Sequence, residues 1–461
     1  EGHSAFLGLE RARHYVQEQG LSFAEAQEVV RASSVFTTHT PVPAGHDVFN
    51  WDLMDRFFSH YWPQLGLERE PFLELARHDQ VWGPGFSMTV LALRMAGRTN
   101  GVAALHGVVS RDMWQWLWPQ TPVDEVPIGH VTNGVHLETW LGPDMAALLD
   151  AHLPADWRER LDEPGVLDGI YAIPDEAFWQ AHRAAKRRLV EFVRRRAHAR
   201  AIRQGESPAV LELIEGVFDE DAFTIGFARR FATYKRATLI FRDMERFDRL
   251  LNNPQGSAQI MFSGKAHPAD DAGKTYIQHI ARVAQLPEYW DKVGFIEDYD
   301  MNVARYLVQG VDLWLNTPRR PREASGTSGQ KAAMNGVPNL SVLDGWWVEG
   351  YNGKNGWVVG EDREYRDREV QDEADSLSLY RALEHDIIPL YFDRDQDGGP
   401  HGWVAVAKEA MHSSLWAFSF RRMLEEYCQQ LYVPAAHSSA IFAAQQFAAA
   451  RALAAWKNKV R

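Results

Sequence analysis

The sequence predicts an α/β fold built on a parallel sheet with helices on its faces. Two observations lead to this expectation. From residue 223 onward, short β-rich runs alternate with amphipathic helical stretches, which is the pattern of successive βαβ units. The chain is also 461 residues long, more than one core usually holds, so two or three structural units of roughly 100 to 200 residues are expected.

The elements follow in order. Residues 223–227 read as a strand, 236–251 as a helix, 259–263 as a strand and 275–284 as a helix. Strand 293–296, helix 301–309 and strand 311–315 come next, then a long loop over 316–329, helix 330–335 and strand 339–343. Right-handed crossovers would line every strand-to-helix loop along the carboxyl edge of one sheet, where open α/β folds bind ligands. Residues 1–140 hold strand-like runs at 34–38 and 130–133 among helices and loops, and read as an incomplete lobe. Residues 141–180, rich in Pro, Asp and Ala, read as a connector. Residues 181–403 form the second, complete lobe, and the Ala-rich stretch 404–461 reads as terminal helices. No initiator Met opens the chain and its last residues interrupt a helical pattern, so part of a longer protein is expected.

Composition narrows the function. A formal net charge of −13 argues against a general nucleic-acid binder, and an anionic ligand would need a local basic pocket. No run approaches the roughly 18 apolar residues of a membrane span, so no membrane partner is expected. Cys428 is the single cysteine, which excludes disulfides within the chain and suits a cytoplasmic location. The histidines lack the spacing of a zinc or iron site, so no metal is expected.

Four segments carry chemistry. In Arg322-Glu-Ala-Ser-Gly-Thr-Ser-Gly-Gln-Lys331, glycines and small hydroxyls precede a helix start, exposing backbone N–H groups that would cradle an anion. A nucleotide P-loop would place glycine before the lysine and Ser or Thr after it, but Gln330 and Ala332 stand there. A solvated turn capping a helix is the ordinary alternative. In Arg229-Arg-Phe-Ala-Thr-Tyr-Lys-Arg236, four cations gather where a strand gives way to a helix, an arrangement suited to phosphate. The ordinary alternative, a solvated helix start, sets cations against the helix dipole. Thr37-Thr-His-Thr40 and His130-Val-Thr-Asn-Gly-Val135 each end a strand-like run, and taken singly each reads as a turn.

Together these segments resemble the α-glucan phosphorylases, the glycogen, starch and maltodextrin phosphorylases. Glu323 to Lys331, followed by Asn335-Gly336, Asp344-Gly345 and Glu349, is similar to the family's cofactor-lysine segment. Glu1-Gly-His-Ser, Thr38-His-Thr, Leu105-His-Gly-Val, Thr132-Asn-Gly-Val, Arg230 to Lys235, Gly264-Lys-Ala-His-Pro and Phe295-Ile-Glu-Asp-Tyr extend the likeness, in order, across nearly the whole chain. The resemblance implies a two-lobed GT-B-like glycosyltransferase architecture, with a complete C-terminal Rossmann-like lobe and an incomplete N-terminal lobe. It implies pyridoxal 5′-phosphate as cofactor and retaining phosphorolysis of an α-1,4-glucan by inorganic phosphate to give glucose 1-phosphate, the cofactor phosphate relaying a proton. By motif position Lys331 resembles the Schiff-base lysine, Arg229 and Thr327 partners of the cofactor phosphate, and Tyr299 and Trp140 residues flanking its ring. Arg230 and Lys235 resemble the residues that hold substrate phosphate. His39, Asn133, Glu323, Ser325 and Gly326 resemble groups that bind glucosyl hydroxyls, with Tyr234 close by; of the whole set, Arg230, Lys235 and His39 are expected to be catalytic. Partners would be the glucan and phosphate, with a homo-oligomer left open.

The departures are informative. Animal and plant relatives usually read Lys-Arg-Ile-His-Glu-Tyr-Lys-Arg where this chain has Arg229 to Arg236, which keeps the charges and changes the filler. Thr40-Pro-Val-Pro-Ala-Gly-His46 and Leu343-Asp-Gly-Trp-Trp resemble the shorter bacterial and archaeal branch, and the family's N-terminal glycine-rich loop has no counterpart. A nucleotide-sugar glycosyltransferase of the glycogen synthase type would commonly carry a second Glu eight residues after Glu323, where Lys331 stands instead. A catalytically inactive glucan-binding fragment is the other alternative.

Overall fold

The computed structural model describes residues 2–396 and 398–460. The chain divides into two compact units, Glu1–Thr132 with Met423–Arg461, and Asn133–Arg422. Among the described residues no helix is long and apolar enough to cross a membrane.

The first unit opens with helices α1 (Phe6–Gln19) and α2 (Phe23–Ala32). Ser22 and Glu25 form a capping box that starts α2. Six short strands follow: β1 (Val35–Thr37), β2 (Val48–Asn50), β3 (Arg77–Gln80), β4 (Gly83–Ser87), β5 (Arg98–Gly101) and β6 (Gly129–His130). They pair as a parallel sheet β1-β5-β6 and an antiparallel sheet β2-β4-β3. The antiparallel sheet was not expected, because Gly83-Pro-Gly carries little β propensity. Of the run expected at 130–133 only His130 falls in a strand, the two-residue β6.

The second unit begins with helices and then winds its sheet. A helix over Pro143–His152 is followed by the long α3 (Asp175–Gln204), so the stretch read as a connector is largely helical. Then come β7 (Phe223–Ala228), α4 (Met244–Leu251), β8 (Ala258–Ser263), α5 (Asp271–Val283), β9 (Val293–Ile296) and α6 (Met301–Gly310). The second half runs β10 (Leu313–Asn316), α7 (Thr327–Ala333), β11 (Asn339–Val342), β12 (Gly356–Val359), α8 (Arg368–Arg381) and α9 (His401–Leu415). All six strands are parallel, in the order β12-β11-β10-β7-β8-β9. Chain order reverses between β7 and β10, which makes that pair the switch point of a doubly wound sheet. β7 and β8 are buried along their whole length. Side chains of β7, β8 and β10 alternate between two cores: Ala228, Met261 and Trp314 face one, and Ile225, Phe227, Ile260, Phe262, Leu313 and Leu315 face the other.

Three boundaries differ from expectation for local reasons. The helix expected from 236 begins at Met244, where the Asp243 side chain accepts from Arg246 N at 2.9 Å; upstream, Arg236 adopts a left-handed φ of 45° that no helix tolerates. Helix α7 starts at Thr327 rather than 330, directly after Gly326 at φ 86°. Strand β10 starts at Leu313, because Asp312 serves a different purpose. Its buried carboxylate accepts from Lys186 Nζ at 2.6 Å, Thr224 N at 2.7 Å and His182 Nε2 at 2.7 Å, pinning α3 to the amino edge of the sheet. Removing one partner of such a buried pair strands the other. Lys186→Met is therefore expected to cost on the order of 3–5 kcal/mol, read as a lowered midpoint in thermal and urea unfolding.

Candidate active site

β7 and β10 are parallel neighbours at the point where chain order reverses, and the carboxyl edge of such a pair is where open α/β sheets bind ligands. Both charged segments emerge there: residues 229–236 follow β7 and residues 317–326 follow β10. Arg229 Nη2 donates to Glu323 Oε2 at 2.6 Å, and Lys235 Nζ lies 3.0 Å from Oε2 and 3.2 Å from Oε1. The three side chains are 7%, 9% and 11% exposed, so two cations share one carboxylate away from water. Burial alone would raise the Glu323 pKa, but Arg229 and Lys235 hold it below the usual range. Burial, reinforced by Arg229, pushes the Lys235 amine down to about 8, with Glu323 pulling the other way. Arg229 Nε and Nη1 are buried with no hydrogen-bond partner among the described residues. The cluster thus keeps donors for a further anion.

Arg230 is exposed and bonds to Tyr234, whose hydroxyl is pushed up to about 12 chiefly by burial and the Glu323 charge. Lys235 Nζ also stands 5.0 Å over the Tyr234 ring.

A buried carboxyl shapes the Glu323 loop. Asp344 Oδ2 accepts from Glu323 N at 2.9 Å and Oδ1 from Gly345 N at 2.8 Å. Burial and the Glu323 charge push Asp344 up to about 8, against the pull of those N–H groups. Trp346 N donates to Ser325 O at 2.8 Å. Gly345, at φ 55°, lies so close that a Cβ there would meet Ser325 O at 2.3 Å, so only glycine fits.

Helix α7 carries Lys331, which burial pushes down to about 8, with its Nζ 3.8 Å from the centroid of the Trp140 ring. Two amides tie the 133–142 segment to this helix. Asn335 Nδ2 donates to Trp140 O at 2.9 Å while its Oδ1 accepts from Gly142 N at 2.7 Å, and Gln330 Nε2 donates to Asn133 O at 2.8 Å. Tyr299, beyond β9, is pushed up by burial and lies within the field of Arg229. Thr327 opens α7 after Gly326, and the Ser325 hydroxyl is buried with no partner among the described residues.

The structure therefore joins Arg229, Lys235 and Glu323, Arg230 with Tyr234, and Lys331 with Trp140. His39 lies in the other unit, exposed just beyond β1. Asp344, Gln330 and Asn335 escaped the sequence reading as site-shaping residues. Each acts on a segment at least 21 residues away, and an Asp-Gly or Asn-Gly pair by itself signals only a turn.

A sequence model described as carbohydrate phosphorylase matches residues 1–365. The chain is 44% identical over 460 residues to a maltodextrin phosphorylase of Thermococcus litoralis, covering 100% of this chain and 53% of that one. It is 42% identical over 416 residues to a glycogen phosphorylase of Aquifex aeolicus, covering 90% and 59%. It is 41% identical over 466 residues to a glycogen phosphorylase of Mycobacterium tuberculosis, covering 100% and 53%. The chain thus spans somewhat over half the length of these relatives.

Glu323 raises the Lys235 pKa, so Glu323→Gln is expected to move the pH midpoint of Lys235 acylation, followed by mass spectrometry, below that of the unsubstituted chain.

Proposed function

This chain belongs to the carbohydrate phosphorylase family, and we propose that it carries the cofactor and phosphate sites of an α-glucan phosphorylase. The reading is of a two-lobed GT-B-like cytoplasmic glycosyltransferase whose cofactor lobe is residues 181–403. Its reaction is retaining phosphorolysis of α-1,4-glucan to glucose 1-phosphate. The observation that supports it most is the pair of buried cations, Arg229 and Lys235, which meet on one carboxylate and keep two donors of Arg229 unpartnered.

Pyridoxal 5′-phosphate suits the residues present. Lys331 is an amine depressed to about 8 by burial, so a useful fraction is the uncharged nucleophile near neutrality. It lies against the flat Trp140 ring, which would wall a planar pyridine. Lys331 would hold the cofactor through its aldehyde, Trp140 and Tyr299 would flank the ring, and Arg229 and Thr327 would hold its phosphate. When bound, the cofactor supplies a second phosphate able to exchange a proton with the substrate phosphate.

The remaining chemistry belongs to the chain. Cleavage of the glucosidic bond builds positive charge on the sugar ring and basicity on the leaving oxygen. Substrate phosphate held by Arg230 and Lys235 gives its proton to that oxygen, and a phosphate oxygen then bonds to the anomeric carbon on the same face. Two phosphates in one pocket repel, and Arg229, Arg230 and Lys235 offset that repulsion in a site where Coulomb terms are strong. Glu323, Ser325, Gly326, Asn133 and Tyr234 orient glucosyl hydroxyls, and the Asp344 and Trp346 contacts hold that loop in place.

Borohydride reduction after incubation with pyridoxal phosphate is expected to leave one pyridoxyl group, on Lys331, and none in Lys331→Ala. Glucose 1-phosphate should then form from maltodextrin and phosphate. Absence of the pyridoxyl group overturns the cofactor assignment, whereas trapping without product identifies a glucan-binding piece that lacks activity.

A further inference from the structure

Arg236 ends the cationic segment but faces neither the Glu323 carboxylate nor solvent, being 2% exposed. Its guanidinium is fully engaged elsewhere. Nε donates to Thr317 O at 2.9 Å, Nη2 to Pro318 O at 2.7 Å and Nη1 to Asp372 Oδ1 at 2.9 Å. Asp375 Oδ2 is 2.7 Å from Nη2, an ion-pair distance that lies off the hydrogen-bonding direction. Asp372 also pairs with Arg319, so two arginines face two carboxylates in one largely buried group, the arrangement that makes burying charge tolerable.

The backbone closes the same knot. Arg319 N donates to Tyr234 O at 2.7 Å, and the Thr317 hydroxyl reaches Lys235 O at 3.2 Å and Arg236 O at 3.1 Å. Arg236 also holds a left-handed φ of 45°, a conformation unfavourable for a non-glycine residue that persists only where surroundings enforce it. That turn reverses the chain directly after Lys235.

We propose that Arg236 is the positioning residue of the anion site: by tying the Tyr234-Lys235 turn to the 317–323 loop and both to α8, it fixes the separation of the Lys235 amine and the Glu323 carboxylate. Arg236 touches no reacting group, so it acts through Lys235 and Glu323. Lysine cannot replace it, because a point charge cannot span two carbonyls and two carboxylates. The catalytic consequence rests on the phosphorylase reading; the geometric claim does not.

The test uses the full chain loaded with pyridoxal phosphate. Arg236→Lys should lower kcat about 100-fold, as expected of a misplacement near 1 Å, while pyridoxyl trapping on Lys331 stays complete. The pH midpoint of Lys235 acylation should move away from that of the unsubstituted chain, because burial and the Glu323 carboxylate, which together set it, both depend on where the amine is held. Asp372→Asn, which keeps shape and removes one charge, should shift both readouts the same way by less, and it carries the test if Arg236→Lys does not fold. An unchanged Lys235 midpoint in folded variants, whatever happens to the melting temperature, makes Arg236 merely structural and overturns the proposal. If the wild-type chain shows no phosphorolysis, the functional reading fails while the Lys235 midpoint still decides this one.

Discussion

Two cations and one carboxylate must stay close together where water barely reaches. A lone buried cation loses several kcal/mol of hydration, and a second beside it adds repulsion. Glu323 offsets both, and for that it must be presented within about 3 Å of Arg229 and Lys235 at once. Much of the surrounding structure serves this presentation. Asp344 and Trp346 hold the Glu323 loop from one side, and Arg236 with Asp372 and Asp375 locks the Lys235 turn from the other. The cluster remains positive overall, and unpartnered donors on Arg229 give that charge a direction.

The sheet makes such a cluster possible. At the switch point between β7 and β10 the two following loops are neighbours in space although Glu323 lies 94 positions after Arg229 in sequence. Lys331 uses a different device. It sits on a seven-residue helix whose dipole is small, and its depressed pKa comes from burial alone. Its setting is instead fixed by Asn335 and Gln330, which bring the Trp140 segment against α7. One lysine is tuned by a charge pair and the other by an apolar wall, which suits one for holding anions and the other for covalent attachment.

Much of this was legible in the sequence, and the limits have physical causes. The strands over 223–228, 258–263 and 293–296 were readable because parallel strands buried on both faces are continuous apolar runs. The charged segments were readable because cations in an acidic chain stand out. The start of α4 was not, since Arg236 takes its conformation from Asp372, Asp375 and two distant carbonyls rather than from its neighbours. β12 and the small antiparallel sheet escaped because Gly356-Trp-Val-Val and Gly83-Pro-Gly-Phe-Ser form strands only once partners are in place. Pairing of Glu323 with both cations is likewise a tertiary fact, since the same residues on separate loops would have read as three solvated charges.

Lys235 is an amine whose charge burial opposes, ready to be charged by an incoming anion. Calorimetric titration with sulfate near pH 8, in buffers of differing ionisation enthalpy, tests it directly. Sulfate binding is expected to take up protons, because a depressed amine gains charge when an anion settles beside it, and that uptake should be lost in Lys235→Met. Binding heat that does not depend on the buffer would contradict it.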